Sequence, residues 1–249
     1  MRQASGMNWR LLEEELARWR YAGRTPDFWW RDDDATTPTP PLRRLLTLSA
    51  RSGVPLALAV IPLGAVPELF AEISACVLMH GTDHRNRAPS GGKKTEFPEA
   101  EGDDAALARL ASGRARLAAL AGPAFVPALA PPWNRLKPSL VPKLPQVGLR
   151  GLSRYGPRAA GGAFEVNTHV DIIDWRGSRT FCGEDAVLEM ARCHLAARRT
   201  GRADAAEPTG MLTHHAVHDA AAWNFLEHFF DRTRRLGARW QEAAALFPS

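Results

Sequence analysis

Cysteine is scarce in this chain: Cys76, Cys182 and Cys193 are the only three among 249 residues. Their odd number, wide spacing and lack of any Cys-x-x-Cys pair exclude a disulfide scaffold and a zinc knuckle, and a reducing compartment is expected. Long apolar runs are missing too. None approaches the ~20 residues that a membrane span needs. The N-terminal stretch from Met1 to Arg10, followed by Glu13-Glu14-Glu15, has no apolar segment ending in a small-residue cleavage site, so the expected location is the cytoplasm. There is no basic block either. The net charge is +5, but Arg10, Arg43, Arg114, Arg198 and Arg234 are scattered and read as solvated helix faces, not a nucleic-acid surface. An anionic substrate remains compatible with that charge. No internal repeat and no linker-like break in composition is visible.

What remains is an ordinary globular composition, 45% hydrophobic and 24% charged, at a length that suits one domain over residues 1–249. Apolar residues at Leu11, Leu12, Leu16 and Trp19 recur with a helical period, which makes residues 1–25 an N-terminal helical extension. Phe28-Trp29-Trp30 reads as a short aromatic strand ending at Arg31-Asp32-Asp33-Asp34. The Pro-rich stretch 35–41 reads as loop. Strands are expected at 55–61, 76–79, 124–130, 149–153, 164–166, 170–173 and 210–213. Helices are expected at 42–50, 65–73, 103–120, 139–144, 184–198 and 220–236. The polar, Gly- and Pro-rich segment 85–102 reads as a long loop over a site.

Short strands alternating with longer helices argue for parallel βα units. Polar clusters recur just past strand ends: Asp32-Asp33, His80, Pro131-Pro132-Trp133, Asp174-Trp175 and His214. That end of an α/β barrel carries its chemistry. The expected fold is therefore a distorted or incomplete (β/α) barrel with parallel strands and outer helices. The His80-Gly-Thr-Asp-His84 pair can aim two imidazoles at one ion, and the aspartate run supplies a carboxylate. Two nitrogens and one oxygen make a three-ligand divalent-metal site with an open position, which points to hydrolysis by an activated water.

These five clusters, in this order, resemble the polysaccharide deacetylase family, metal-dependent carbohydrate esterases that remove acetyl groups from sugars. The resemblance runs from Phe28 to about His228. It implies a base and a metal ligand at the paired aspartates, matched by Asp32 and Asp33, with Asp34 leaving the register open by one. It implies metal-binding histidines at His80 and His84, an Asp-Trp motif at Asp174-Trp175, and a Leu-x-His motif at Leu212-Thr213-His214. The family's third motif has an arginine before its Pro-Pro-aromatic segment, and here Ala130 stands there, with Arg31 or Arg135 as candidate substitutes.

The expected chemistry is removal of an acetyl group from an acetylated amino sugar or glycan precursor. Zinc is the favoured ion, Asp32 the base and His214 the acid. Asp174 orients the imidazole. Pro132, Trp133, Asn134, Trp175 and Leu212 contact substrate, with Trp175 and Leu212 walling the methyl pocket. His214 is preferred to His215 because it alone fits Leu-x-His. His169, His194 and His228 read as structural. A zinc peptidase of the His-Glu-x-x-His type is excluded, because Gly81 occupies the glutamate's place. The competing expectation is a catalytically silent carbohydrate-binding protein, motivated by the missing arginine.

Overall fold

The computed structural model describes residues 2–159, 161 and 164–247. In chain order the elements are α1 (Arg2–Tyr21), β1 (Asp27–Ala35), α2 (Pro40–Ser52), β2 (Ala57–Val60), α3 (Pro67–Glu72), β3 (Cys76–Met79), α4 (Asp103–Ala121), β4 (Phe125–Leu129), β5 (Gly151–Leu152), β6 (Val170–Asp171), α5 (Glu184–Arg199), β7 (Thr209–Thr213), α6 (Ala220–Arg235), β8 (Arg239–Trp240) and α7 (Ala243–Leu246). The strands form one sheet in the order β5-β4-β3-β2-β1-β7-β6, with β8 paired to the start of β1. Every strand pairing is parallel. The sheet curls into a distorted (β/α) barrel. Its open side is bridged irregularly, Leu152 to Glu165 and Tyr155 to Thr168.

Side chains alternate across β1, as the pleat requires. Phe28 and Trp30 join the large apolar cluster that also holds Leu12, Leu16, Leu188 and Phe229 from the surrounding helices. Trp29 instead packs with Ala57, Ala59, Leu78 and Ala128 from β2, β3 and β4, where the three alanines leave room for its indole inside the barrel. Phe247 meets the same ring edge-on at 5.9 Å. From Phe28 to Asp33, odd-numbered residues of β1 therefore face the barrel interior and even-numbered ones face the helices.

Three expectations change in detail. The segment after Trp30 is not past the strand, since β1 runs through all three aspartates. Pro40 and Pro41 open α2 instead of lying in the loop. Proline has no N–H to lose in a helix's first turn, and Thr39 accepts a hydrogen bond from the Leu42 N–H. Pro138–Val147 winds as a 3-10 helix, and it carries Pro142 and Pro145. The short β8 and α7 carried no periodicity long enough to expect. Helix α1 buries Leu12, Leu16 and Trp19 almost completely. Among the described residues no helix is long and apolar enough to cross a membrane.

Candidate active site

The three aspartates of β1 go to three different places. Asp33 faces the interior, where Arg31, two residues back on the same face, grips it with both arms: Nε to Oδ1 at 2.8 Å and a terminal nitrogen to Oδ2 at 3.0 Å. Arg31 is fully buried and spends its other donors on the Ser153 carbonyl, the Ser153 hydroxyl and Asn134 Oδ1. Asp32 faces the other way. Its carboxylate accepts from Thr213 Oγ1 at 2.6 Å, from the His215 N–H at 2.9 Å and from His215 Nδ1 at 2.5 Å. Burial opposes ionisation of Asp32, yet the adjoining His215 outweighs it and lowers the pKa. Asp32 thereby clamps both chain neighbours of His214.

Asp34 breaks the alternation. It has φ 74, and the pairing with β2 shifts register between Asp32 and Ala35. This bulge turns its carboxylate to the same cavity as Asp33, the kind of re-aiming that bulges provide. Its Oδ1 lies 3.1 Å from His80 Nε2 and 3.2 Å from His84 Nε2. The carboxylate that meets the two histidines is thus that of Asp34. The expected assignment of Asp33 to that place is corrected, because both Asp33 oxygens are taken by Arg31. Asp32, expected as the base, does not line the cavity.

His80 leaves the end of β3 and bonds the Ala130 carbonyl through Nδ1 at 2.9 Å. A carbonyl can only accept, so Nδ1 carries a proton and the neutral ring presents a lone pair at Nε2. Burial opposes charging of His80, but Asp33 and Asp34 prevail and its pKa is raised. That of His84 is lowered by burial and by His80. The turn between them is held by Glu96, buried in the 85–102 loop. Its carboxylate accepts the N–H groups of Thr82, Asp83 and His84 and the Thr82 hydroxyl. Gly81 has φ 59, and a methyl group there would collide with Glu96 and Pro132.

On the far wall, His214 meets Trp175 edge-on, ring centroids 4.6 Å apart. The acidic neighbour of His214 is Asp171, which also accepts from Trp175 Nε1 at 2.9 Å. Burial raises the Asp171 pKa, partly offset by His214. Asp174, expected to orient His214, instead folds a turn, accepting the N–H groups of Arg176, Gly177 and Ser178. Trp133 and Asn134 line the cavity as expected. Pro132 and Leu212 do not: Pro132 packs under Gly81, and Leu212 is wholly buried in β7.

The cavity has a volume of about 620 Å³ and is walled by Asp33, Asp34, His80, His84, Trp175 and His214, among others. Among the described residues, five non-glycine residues have positive φ: Asp34, His84, Trp133, Asn134 and Arg179. All five line this cavity. Backbone held in a sparsely populated region costs about 1–3 kcal/mol per residue and gathers at functional sites. Here the strain and the polar cluster coincide.

Solved structures share this arrangement of elements. A Mycobacterium smegmatis structure assigned as a polysaccharide deacetylase matches with a TM-score of 0.63 and 17% identity over 90% of this chain and 89% of its own. A peptidoglycan N-acetylglucosamine deacetylase matches with a TM-score of 0.57 at 15% identity, over 89% of this chain and 87% of its own. A family 4 carbohydrate esterase from Streptomyces lividans, in complex with acetate, matches with a TM-score of 0.55 at 17% identity, over 84% of this chain and 88% of its own. The fold is that of the polysaccharide deacetylases. No protein-family model matches the chain, and neither does any curated protein.

This deacetylase fold carries a second cluster able in principle to hold a cation, the buried His169, His194 and Glu207. Its hydrogen bonding argues against that use. His169 Nδ1 accepts the Gly210 N–H at 3.0 Å, so the ring's own proton sits on Nε2, which faces Glu207 at 3.3 Å. The two imidazoles stack 3.4 Å apart at 15°, so their in-plane lone pairs run side by side and do not converge. His169 and His194 fit a structural role, and His228 is exposed on α6.

That stack predicts acid lability. Burial, His169 and Arg198 push the His194 pKa down to about 2. Burial, against the opposing pull of Asp32 and with help from His215 and His214, holds His218 at about 4. Unfolded histidine titrates near ~6.5, so below that pH the unfolded chain binds protons that the native chain refuses, and stability falls by about 1.4 kcal/mol per pH unit per group. Urea unfolding at about pH 7 and about pH 5 should show this loss, and His194→Gln should lessen it. An unaltered pH dependence in that variant would contradict the assignment.

Proposed function

We propose that the protein is a divalent-metal-dependent deacetylase acting on an acetylated amino sugar or related glycan. The observation that carries this reading is Asp34 Oδ1 lying 3.1 and 3.2 Å from two imidazole nitrogens in one cavity. Asp33 and Asp34 raise the His80 pKa, so this point of the cavity favours positive charge, which a proton or a bound cation would supply between Nε2 and Oδ1. Asp34 Oδ1 is also buried without an ordinary hydrogen-bond partner. The donor set suits a first-row divalent ion, zinc foremost, held by Asp34, His80 and His84. When bound, such an ion polarises the acyl carbonyl and makes a hydroxide-like nucleophile accessible near neutral pH.

The chain's own groups supply the proton transfers. Asp33 is held by the doubly bonded Arg31 guanidinium and stands beside the ligand set, so it takes the proton of the attacking water. His214 stands across the cavity and gives a proton to the departing amine or alcohol. Asp171 stands beside that imidazole as an acidic neighbour. Trp133 and Trp175 wall the space for the sugar. The catalytically silent reading rested on a missing arginine, and Arg31 supplies that guanidinium from β1 itself.

The test is metal content of the purified protein together with acetate release from a panel of N- and O-acetylated sugars. His84→Ala should lose the ion and lower turnover by at least ~10²-fold, the scale on which a missing catalytic group is felt. Unchanged turnover in His84→Ala would sink the proposal.

A further inference from the structure

Every carboxylate on the cavity wall already has a partner. Asp33 is held by Arg31, Asp34 lies between two histidines, and Asp171 accepts from Trp175 and the Ile173 N–H. The cations at the mouth are different. Lys94, Arg135 and Arg179 line the same cavity, are exposed, and form no ion pair among the described residues. The Arg135 guanidinium donates only to the Lys94 carbonyl, at 2.8 Å. The neighbouring cavity of about 360 Å³, which shares Asn134 and Arg135, offers a contrast. There Lys137 is paired with Asp103 and Arg154 with Glu165.

Arg179 stands out because its backbone is strained, with φ 58, like four other cavity residues whose strain serves the ligand cluster or the wall beside it. Three features build its position. Asp174 ties down Arg176 to Ser178, Gly177 leaves room for that carboxylate, and the Arg179 N–H donates to the Asp174 carbonyl at 2.9 Å. The guanidinium carbon stands 5.9 Å from the centroid of the exposed Trp175 ring. A guanidinium resting over an indole in this way is pre-positioned to offer its fork of N–H donors to an anion.

We propose that the mouth of the cavity is an anion-binding subsite, in which Arg179 and Arg135, assisted by Lys94, engage a carboxylate or phosphate on the acylated sugar. This rests on the deacetylase reading and narrows its substrate to an anionic acylated saccharide. The overall charge of +5 is in keeping with such a substrate.

The experiment uses the zinc-loaded Asp33→Asn protein, which should turn over at least ~10²-fold more slowly, titrated with three disaccharides. One is neutral N,N′-diacetylchitobiose, the second its carboxymethyl ether and the third its phosphate ester. At about 20 mM salt, at least one anionic ligand should bind ~10-fold or more tightly than the neutral one, with the preference shrinking at about 500 mM. Arg179→Gln with Arg135→Gln should remove most of it. Preference for a single anion supports the subsite and identifies the group. Equal affinities, or a preference surviving both substitutions, overturn it. Acetate release from the neutral disaccharide by the wild-type protein reports separately on deacetylation, so the two readings can fail independently.

Discussion

Asp34→Ala is expected to abolish metal uptake and turnover together, whereas Asp33→Asn is expected to keep the ion and lose ~10²- to 10⁴-fold in kcat, the range for removing a general base. The difference follows from the bulge in β1. Asp34, with φ 74, turns its oxygen to the two histidines, while Asp33 remains on the regular face beside Arg31. Asparagine at position 33 preserves shape and keeps one acceptor for the guanidinium, but it leaves the buried Arg31 charge without its carboxylate, so this variant should be less stable in urea while Asp34, His80 and His84 keep the ion. Metal titration by calorimetry and initial rates of acetate release, on both variants, decide the matter. Loss of metal in Asp33→Asn with retention in Asp34→Ala would reverse the two roles.

Arg31→Met is expected to be the most damaging single change to the fold. The guanidinium is wholly buried and makes five hydrogen bonds, two to Asp33 and the rest to Ser153 and Asn134. Removing one partner of a buried ion pair leaves the other charge uncompensated and costs about 3–5 kcal/mol. A second substitution, Asp33→Asn, removes that stranded charge. The double variant Arg31→Met/Asp33→Asn should therefore recover a large part of the lost stability in urea while staying inactive. If the double variant is no more stable than Arg31→Met, the destabilisation comes from the Ser153 and Asn134 contacts instead.

The barrel was legible because its strands and helices have different periods, and because polar clusters recur at or near the strand ends. The histidine pair was legible for the same reason, since His80 follows Cys76–Met79 directly. The aspartate register was not. A run of three identical residues gives no phase by itself, and the shift depends on a bulge that pattern cannot show. One signal did exist. Phe28 to Asp33 read as a continuous strand puts Arg31 and Asp33 on one face and Asp32 on the other, which pairs the arginine with the second aspartate.

Asp171 was missed in favour of Asp174 through the Asp-Trp match, although Asp171 lies at the strand end and Asp174 lies in the turn beyond it. Glu96 and Arg179 had no sequence signature. One is placed by a long loop folding back on the histidine turn and the other by a strained turn, and both are outcomes of tertiary packing. Leu212 illustrates the limit of a motif match: its spacing to His214 is right, yet it is wholly buried in β7 and does not line the cavity.

The most direct measurement is an anomalous difference map from crystals grown with zinc. The account predicts a peak bonded to the carboxylate of Asp34 and to Nε2 of both His80 and His84. A peak among His169, His194 and Glu207 instead, or none beside Asp34, would contradict it.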